Sequence, residues 1–190
     1  MATVNDNVII VPDFVYQYGV AFSEKVITTN WEKYAKRNQF DIKKIKQDIR
    51  LGKLAECGTY YYVLSKETKG RLVTKPDFKI YTEYGKRGKN FDPDLRIGNI
   101  GLHVKSQTKA AADSFQKSWM FQVEDRLLTN PQPHEFVALC LVDEQNRAVT
   151  VEHIVHAEKL VGVYALPKLE KLHESKRALY EHDLRRLGIC

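Results

Sequence analysis

The chain has 190 residues, 43% hydrophobic and 28% charged, the composition of a folded domain, which excludes a disordered or low-complexity chain. Its net charge of +6 and pI near 9.1 favour an anionic partner, nucleic acid first among them. No apolar run approaches the roughly 20 residues of a membrane span. The three cysteines, Cys57, Cys140 and Cys190, make no Cys-x-x-Cys pair of a zinc ribbon. The start lacks a basic leader and a signal core, and an odd, scattered set of cysteines suggests free thiols. An intracellular protein with no membrane association is therefore expected.

In chain order, Val8 to Val11 is a short apolar run closed by Pro12-Asp13. Residues 14–22 are rich in aromatics and read as strand or irregular chain. Thr28-Thr29-Asn30 before Trp31 predicts a helix start, with one of the three as cap, and a short helix from Trp31 to Arg37. Asp41 predicts the cap of a longer helix over Ile42 to Leu64. Ile42, Ile45, Ile49, Leu54, Tyr61 and Leu64 carry its helical spacing, and Gly52 and Gly58 are candidate breaks. Glu56 sits between Ala55 and Cys57-Gly58. It is either a tightly packed carboxylate in need of a partner or a surface group paired with Lys53 three residues earlier.

Strands are expected over Arg71 to Thr74 and Phe78 to Tyr84, with Pro76-Asp77 between them. The loop Gly85-Lys86-Arg87-Gly88-Lys89-Asn90 combines glycines, which allow close approach, with cations that attract a phosphate backbone. Lys86, Arg87 and Lys89, with Lys109 further on, are the candidate DNA contacts.

The stretch from Phe91 to Gln107 reads as a hairpin. Leu95 to Ile97 and Leu102 to Gln107 are its strands, and Gly98-Asn99 supplies a turn at positive φ. Asp94 stands at the entry of the first strand. His103, Lys105 and Gln107 share one face of the second. A carboxylate, an imidazole and an ammonium on adjacent strands suit a metal ion beside a phosphate. Magnesium takes oxygen ligands. Asp94 is the natural direct ligand, Glu56 a second if its helix packs beside the hairpin, and the Val104 carbonyl a neutral third. Lys105 would contact the phosphate or orient the attacking water, and Gln107 would hold DNA or a water.

Beyond the hairpin, residues 114–125 fit helix or strand, Phe136 to Val142 has the length of a buried strand, and Ala148 to Ile154 is another. Lys168 to Leu187 reads as a basic helix. His153 and His156 lie near a strand without cysteine or carboxylate partners at a useful spacing, so they read as structural histidines rather than a metal pair. The order of helices and strands predicts a mixed-sheet α/β or α+β domain over 1–190, with its core at about 42–154 and a helical extension over 155–190.

Pro93-Asp94, a short gap and His103-Val104-Lys105 resemble the motif of the PD-(D/E)XK, or restriction-endonuclease-like, nucleases. Glu56 is similar to the additional acidic residue that many members carry on the preceding helix. The resemblance spans roughly 42–154. Ser106-Gln107 and Ser118-Trp119-Met120-Phe121-Gln122 also look like stretches of phage-borne and homing-type members, which implies work inside a bacterial host. The resemblance implies a central mixed sheet flanked by helices, with Asp94 holding Mg2+ or Mn2+, Lys105 assisting catalysis and Glu56 completing the site. It further implies an endonuclease of homing or restriction type, a homodimer cutting double-stranded DNA at specific sites. His103 departs from the motif, which usually has Asp or Glu there. A neutral imidazole suits softer transition metals. Either His103 ligates manganese or acts on the water, or Glu56 replaces the missing carboxylate, with Asp92 in reserve. A Holliday-junction resolvase or repair nuclease would use the same site. A non-catalytic DNA-binding protein on such a scaffold is the alternative that His103 favours.

Overall fold

Residues 136–142 form the spine of the molecule. In the computed structural model, which describes residues 2–36, 39–80 and 92–189, they belong to a fully paired central strand. The elements run β1 (Thr3–Asn5), β2 (Val8–Ile10), α1 (Asp13–Ala35), α2 (Ile42–Lys66), β3 (Leu95–Ile97), β4 (Ile100–Thr108), α3 (Lys109–Phe115), β5 (Ser118–Gln122), β6 (Glu135–Asp143), β7 (Ala148–His156), β8 (Lys176–Tyr180) and α4 (Glu181–Arg186). One six-stranded sheet has the order β1-β2-β7-β6-β4-β3, and β5 pairs with β8 in a second, two-stranded sheet. Every pair in the large sheet is antiparallel except β4–β6, which is parallel. The fold is thus mixed α/β, as the sequence predicts.

The spine is apolar on both faces because both faces are covered. Ala138, Cys140 and Val142 meet Leu51, Leu54 and Ala55 of α2. Val137 and Leu139 meet Trp119 and Phe121 of β5, Leu179 of β8 and Leu184 of α4. Gly58 allows α2 to settle on the sheet: a Cβ there would lie 2.5 Å from the Cβ of Val149. The helix begins where Asp41 accepts the Lys44 N–H at 3.0 Å and runs through Gly52 and Gly58 without a break. Mid-helix glycine costs about 1 kcal/mol against alanine, and the buried face of α2 outweighs it.

Five expectations change, and the open alternative at 114–125 is resolved. Residues 14–22 are helical, not strand or irregular, because α1 already starts after Pro12 and spans 23 residues. The expected start at 28–30 is instead a kink, with Asn30 at φ −121° and ψ 15°. The strand expected at 71–74 is extended chain with one bridge, Val73 to Ile97. Residues 78–80 join no strand, and 81–84 lie outside the described residues. Residues 114–125 divide into the end of α3 and β5. The helix expected over Lys168 to Leu187 is a 3-10 turn, strand β8 and the short α4. Ala178, Leu179 and Tyr180 are consecutive and all buried, a pattern one helix face cannot bury but a strand between two layers can. This end of the chain completes the second core layer and is not a helical extension.

Candidate metal and phosphate site

The hairpin forms as expected, with Leu95 opposite Leu102 and Gly98 at φ +61° in the turn. β3 starts only at Leu95, opposite Leu102, so Val104 has no strand neighbour on that edge. The Asp94 carboxylate takes its place: Oδ2 accepts the Val104 N–H at 2.7 Å. A strand residue sends its N–H and C=O to the same edge, so the Val104 carbonyl also faces the Asp94 side.

Asp94 lines a cleft of about 320 Å3 with Lys53 and Glu56 of α2, Asp77 of the extended segment, and Asp92. Both readings of Glu56 hold at once: it is tightly packed, and it pairs with Lys53. Lys53 Nζ donates to Glu56 Oε2 and to the Asp77 carbonyl, each at 2.6 Å, with 17% and 13% of the two side chains exposed. Phe22 and Phe78 flank the ammonium at 5.4 and 5.5 Å. Burial, reinforced by the charge of Asp94 and opposed by Lys53, pushes the Glu56 carboxyl up to about 8. Glu56 and Asp94 therefore converge, and their mutual repulsion is what a bound cation would relieve.

His103, Lys105 and Gln107 do not join them. Leu102 and Val104 pack towards α2, so by the two-residue period of a strand the residues between them point the other way. Lys105 Nζ lies 2.9 Å from Asp125 Oδ2 and 4.6 Å above the Phe121 ring. Asp125 in turn accepts the Leu127 N–H at 3.2 Å. His103 Nε2 is 3.1 Å from Glu135 Oε1, and the guanidinium of Arg126 grips both oxygens of Glu135. Burial alone would raise Glu135; Arg126, the Gln132 N–H and His103 overcome it and hold the carboxyl down to about 2. Gln107 accepts the Ser118 N–H at 2.9 Å and donates to the Gln116 carbonyl at 3.0 Å. The site expected on one face of the hairpin is thus divided. Glu56, Asp94 and the Val104 backbone share the α2 side, while His103, Lys105 and Gln107 are tied into the second layer. Parity from Leu102 was enough to place those three, but the sideways turn of Asp94 into the plane of the sheet left no sequence signal. Lys53 and Asp77 were missed as site residues. The spacing of Lys53 to Glu56 and the second Pro-Asp, Pro76-Asp77, are their only traces.

Of the expected DNA contacts, Lys86, Arg87 and Lys89 lie outside the described residues. Lys109 is exposed at the start of α3, roughly 16 Å along the strand from Val104 at about 3.3 Å per residue.

A different group could hold a metal ion. Glu152, His153 and Glu181 offer ligand atoms within 4.8 Å of one another, the one such trio among the described residues. Lys117 already bridges it, with Nζ 2.8 Å from Glu152 and 3.3 Å from Glu181. Burial lowers the proton affinity of His153, whose ring meets Trp119 edge-on at 6.2 Å. His156 faces away and meets the Pro133 carbonyl at 2.9 Å, so the two histidines do not form a pair.

Fold and cleft define a mixed α/β protein with converging carboxylates and an ammonium in one recess. Set against known proteins, the chain matches no family model, no curated protein and no solved structure. No described helix is long and apolar enough to cross a membrane.

Proposed function

We propose that the protein is a divalent-metal-dependent DNA endonuclease on a restriction-endonuclease-like core, with its reacting site in the Glu56–Asp94 cleft. The observation that carries this reading is a largely buried carboxyl, held from ionising by burial and a neighbouring carboxylate, with an ammonium 2.6 Å away. Glu56, Asp94, Asp77 and the Val104 carbonyl are all oxygen donors, a set that fits Mg2+ or Mn2+. Such an ion, when bound, lowers the pKa of its water and neutralises phosphate charge.

The chain's own groups do the rest. Glu56 and Asp94 would hold the ion. Lys53, fixed by Phe22, Phe78 and the Asp77 carbonyl, presents its charge to a phosphate at the cleft. It takes the role that the resemblance gives to Lys105. The net charge of +6 draws the DNA backbone in. A twofold dimer would bring two such clefts to the two strands of a duplex.

Separation of Lys105 from the carboxylates favours a second reading, a DNA-binding protein without catalysis. Plasmid incubated with the protein and Mg2+ or Mn2+ decides between them. Nicking or linearisation is expected, with loss of at least a hundredfold in Asp94→Asn and in Lys53→Met and little change in Lys105→Met. Firm DNA binding with no cleavage in either metal would establish the second reading. Undiminished cleavage by Asp94→Asn would reject the site.

A further inference from the structure

A second recess, of about 610 Å3, shares no lining residue with the Glu56–Asp94 cleft, and the proposed hydrolysis does not use it. Its floor is apolar and drawn from four elements: Leu51 of α2, Phe115 of α3, Met120 of β5 and Val142 of β6. The segment after Pro167 closes one side. There the Leu172 N–H donates to the Leu169 carbonyl at 2.9 Å, a tight turn that sets the two leucines on one side, and both line the recess. Four lysines, Lys44, Lys168, Lys171 and Lys176, share the lining with one carboxylate, Asp48, which Lys44 neutralises at 2.6 Å. Lys168 and Lys171 are exposed and make no ion pair among the described residues. Most hydrogen-bonding groups on the lining are already engaged. Gln107 is tied to Ser118 and to the Gln116 carbonyl, Thr108 accepts the Ala111 N–H, and the Tyr180 hydroxyl donates to the Leu166 carbonyl. Little is left to satisfy a sugar or a base, whose polar groups are costly to bury unpaired, whereas an aliphatic chain asks for nothing there.

We propose that this recess binds an alkyl phosphate monoester, with its chain against the apolar floor and its head between Lys168 and Lys171. Sites for small molecules run from roughly 300 to 1,000 Å3 and are mainly apolar with a few placed polar groups, and a recess of about 610 Å3 lies inside that range. A phosphate monoester carries roughly −1.5 to −2 charge at pH 7, which answers two ammonium groups more fully than the single charge of a carboxylate. The inference stands apart from the endonuclease reading, since neither the residues nor the ligand are shared.

Met120 reports on the recess directly, because the chain holds only one other methionine, Met1. With 13C-methyl-labelled methionine, NMR titration with octyl phosphate below its micelle concentration should move the Met120 signal to saturation. Hexyl phosphate should bind about tenfold more weakly, since each methylene taken out of water contributes roughly fourfold. Octyl glucoside, which has the chain without the charge, should also bind at least tenfold more weakly, and inorganic phosphate should leave the signal in place. Lys168→Glu with Lys171→Glu should weaken octyl phosphate at least tenfold, while the Met120 signal of the free double variant stays where it is in the wild type and reports an intact fold. A Met120 signal unmoved by octyl phosphate overturns the inference. Equal affinity for octyl glucoside, or a double variant that binds like the wild type, overturns it as well. Octanoate binding as tightly as octyl phosphate removes the phosphate head from the assignment and overturns it in that form. A short DNA duplex that moves the signal where octyl phosphate does not would give the lysines to nucleic acid instead.

Discussion

Glu56→Gln gives the most direct test of the cleft's electrostatics. The folded protein holds a proton on Glu56 up to about 8, whereas the unfolded chain releases it near 4.5. Between those values the folded state binds the extra proton, so stability falls as pH rises, levels off above about 8, and does not depend on Glu56 below 4.5. Each tenfold displacement of the equilibrium is about 1.36 kcal/mol, which sets a ceiling of about 5 kcal/mol across the window. Half of that, shared with water that reaches the exposed edge of the side chain, corresponds to a fall in Tm of about 5–10 °C for a chain of this size. Glutamine cannot ionise and keeps the shape, so the variant should lose this slope. The assay is thermal unfolding in EDTA from pH 5 to pH 9, wild type against Glu56→Gln. The difference in Tm between them should grow steadily in favour of the variant up to pH 8. Added Mn2+ should restore the wild type at pH 8.5 and leave the variant where it was. Parallel curves for the two proteins would refute the argument, because Glu56 would then ionise as freely in the fold as in water.

Three further outcomes follow from contacts outside the cleft. Lys105→Met leaves Asp125 without its cation in the second layer, and urea denaturation should show a loss of about 2 kcal/mol, less than the 3–5 of a fully buried pair because Lys105 is 23% exposed. Gly58→Ala forces a methyl against Val149, where the gap is only 2.5 Å, and should destabilise by about 1–3 kcal/mol in the same assay rather than gain the usual benefit of alanine in a helix. Lys117→Met removes the cation that bridges Glu152 and Glu181 beside His153; Zn2+ should then raise the Tm of the variant, measured by differential scanning fluorimetry, and leave the wild type unmoved.

Local chemistry was legible where one short segment decides its own geometry. Gly98-Asn99 can form only a tight turn between Ile97 and Ile100, Asp41 supplies a cap three residues before the Lys44 N–H, and residues 136–142 are apolar at every position because β6 is covered on both sides. Elements whose state depends on distant partners were not legible. Residues 14–22 lie in a helix whose Tyr18 and Phe22 meet Phe78, and β8 is a strand paired along β5. Neither partner is near in sequence.

The site follows the same division, and the division explains its error. Placing His103, Lys105 and Gln107 on one face needed only the period of a strand, and that placement is correct. Placing Asp94 on the same face assumed that its side chain leaves a regular strand, but β3 starts one residue later. Asp94 is therefore free to turn edgewise, satisfy the Val104 N–H and open towards α2. Once it turns, the ammonium that shares its cleft is Lys53 of α2, which pairs with Glu56. Lys105 is left to neutralise Asp125, and the chemistry expected of the hairpin passes to a helix and a strand end. A crystal soaked with Mn2+ distinguishes the two arrangements: density bridging Glu56 and Asp94, with Lys105 still on Asp125, is the expected result. An ion held between Asp94 and His103 would restore the hairpin site and refute the one described.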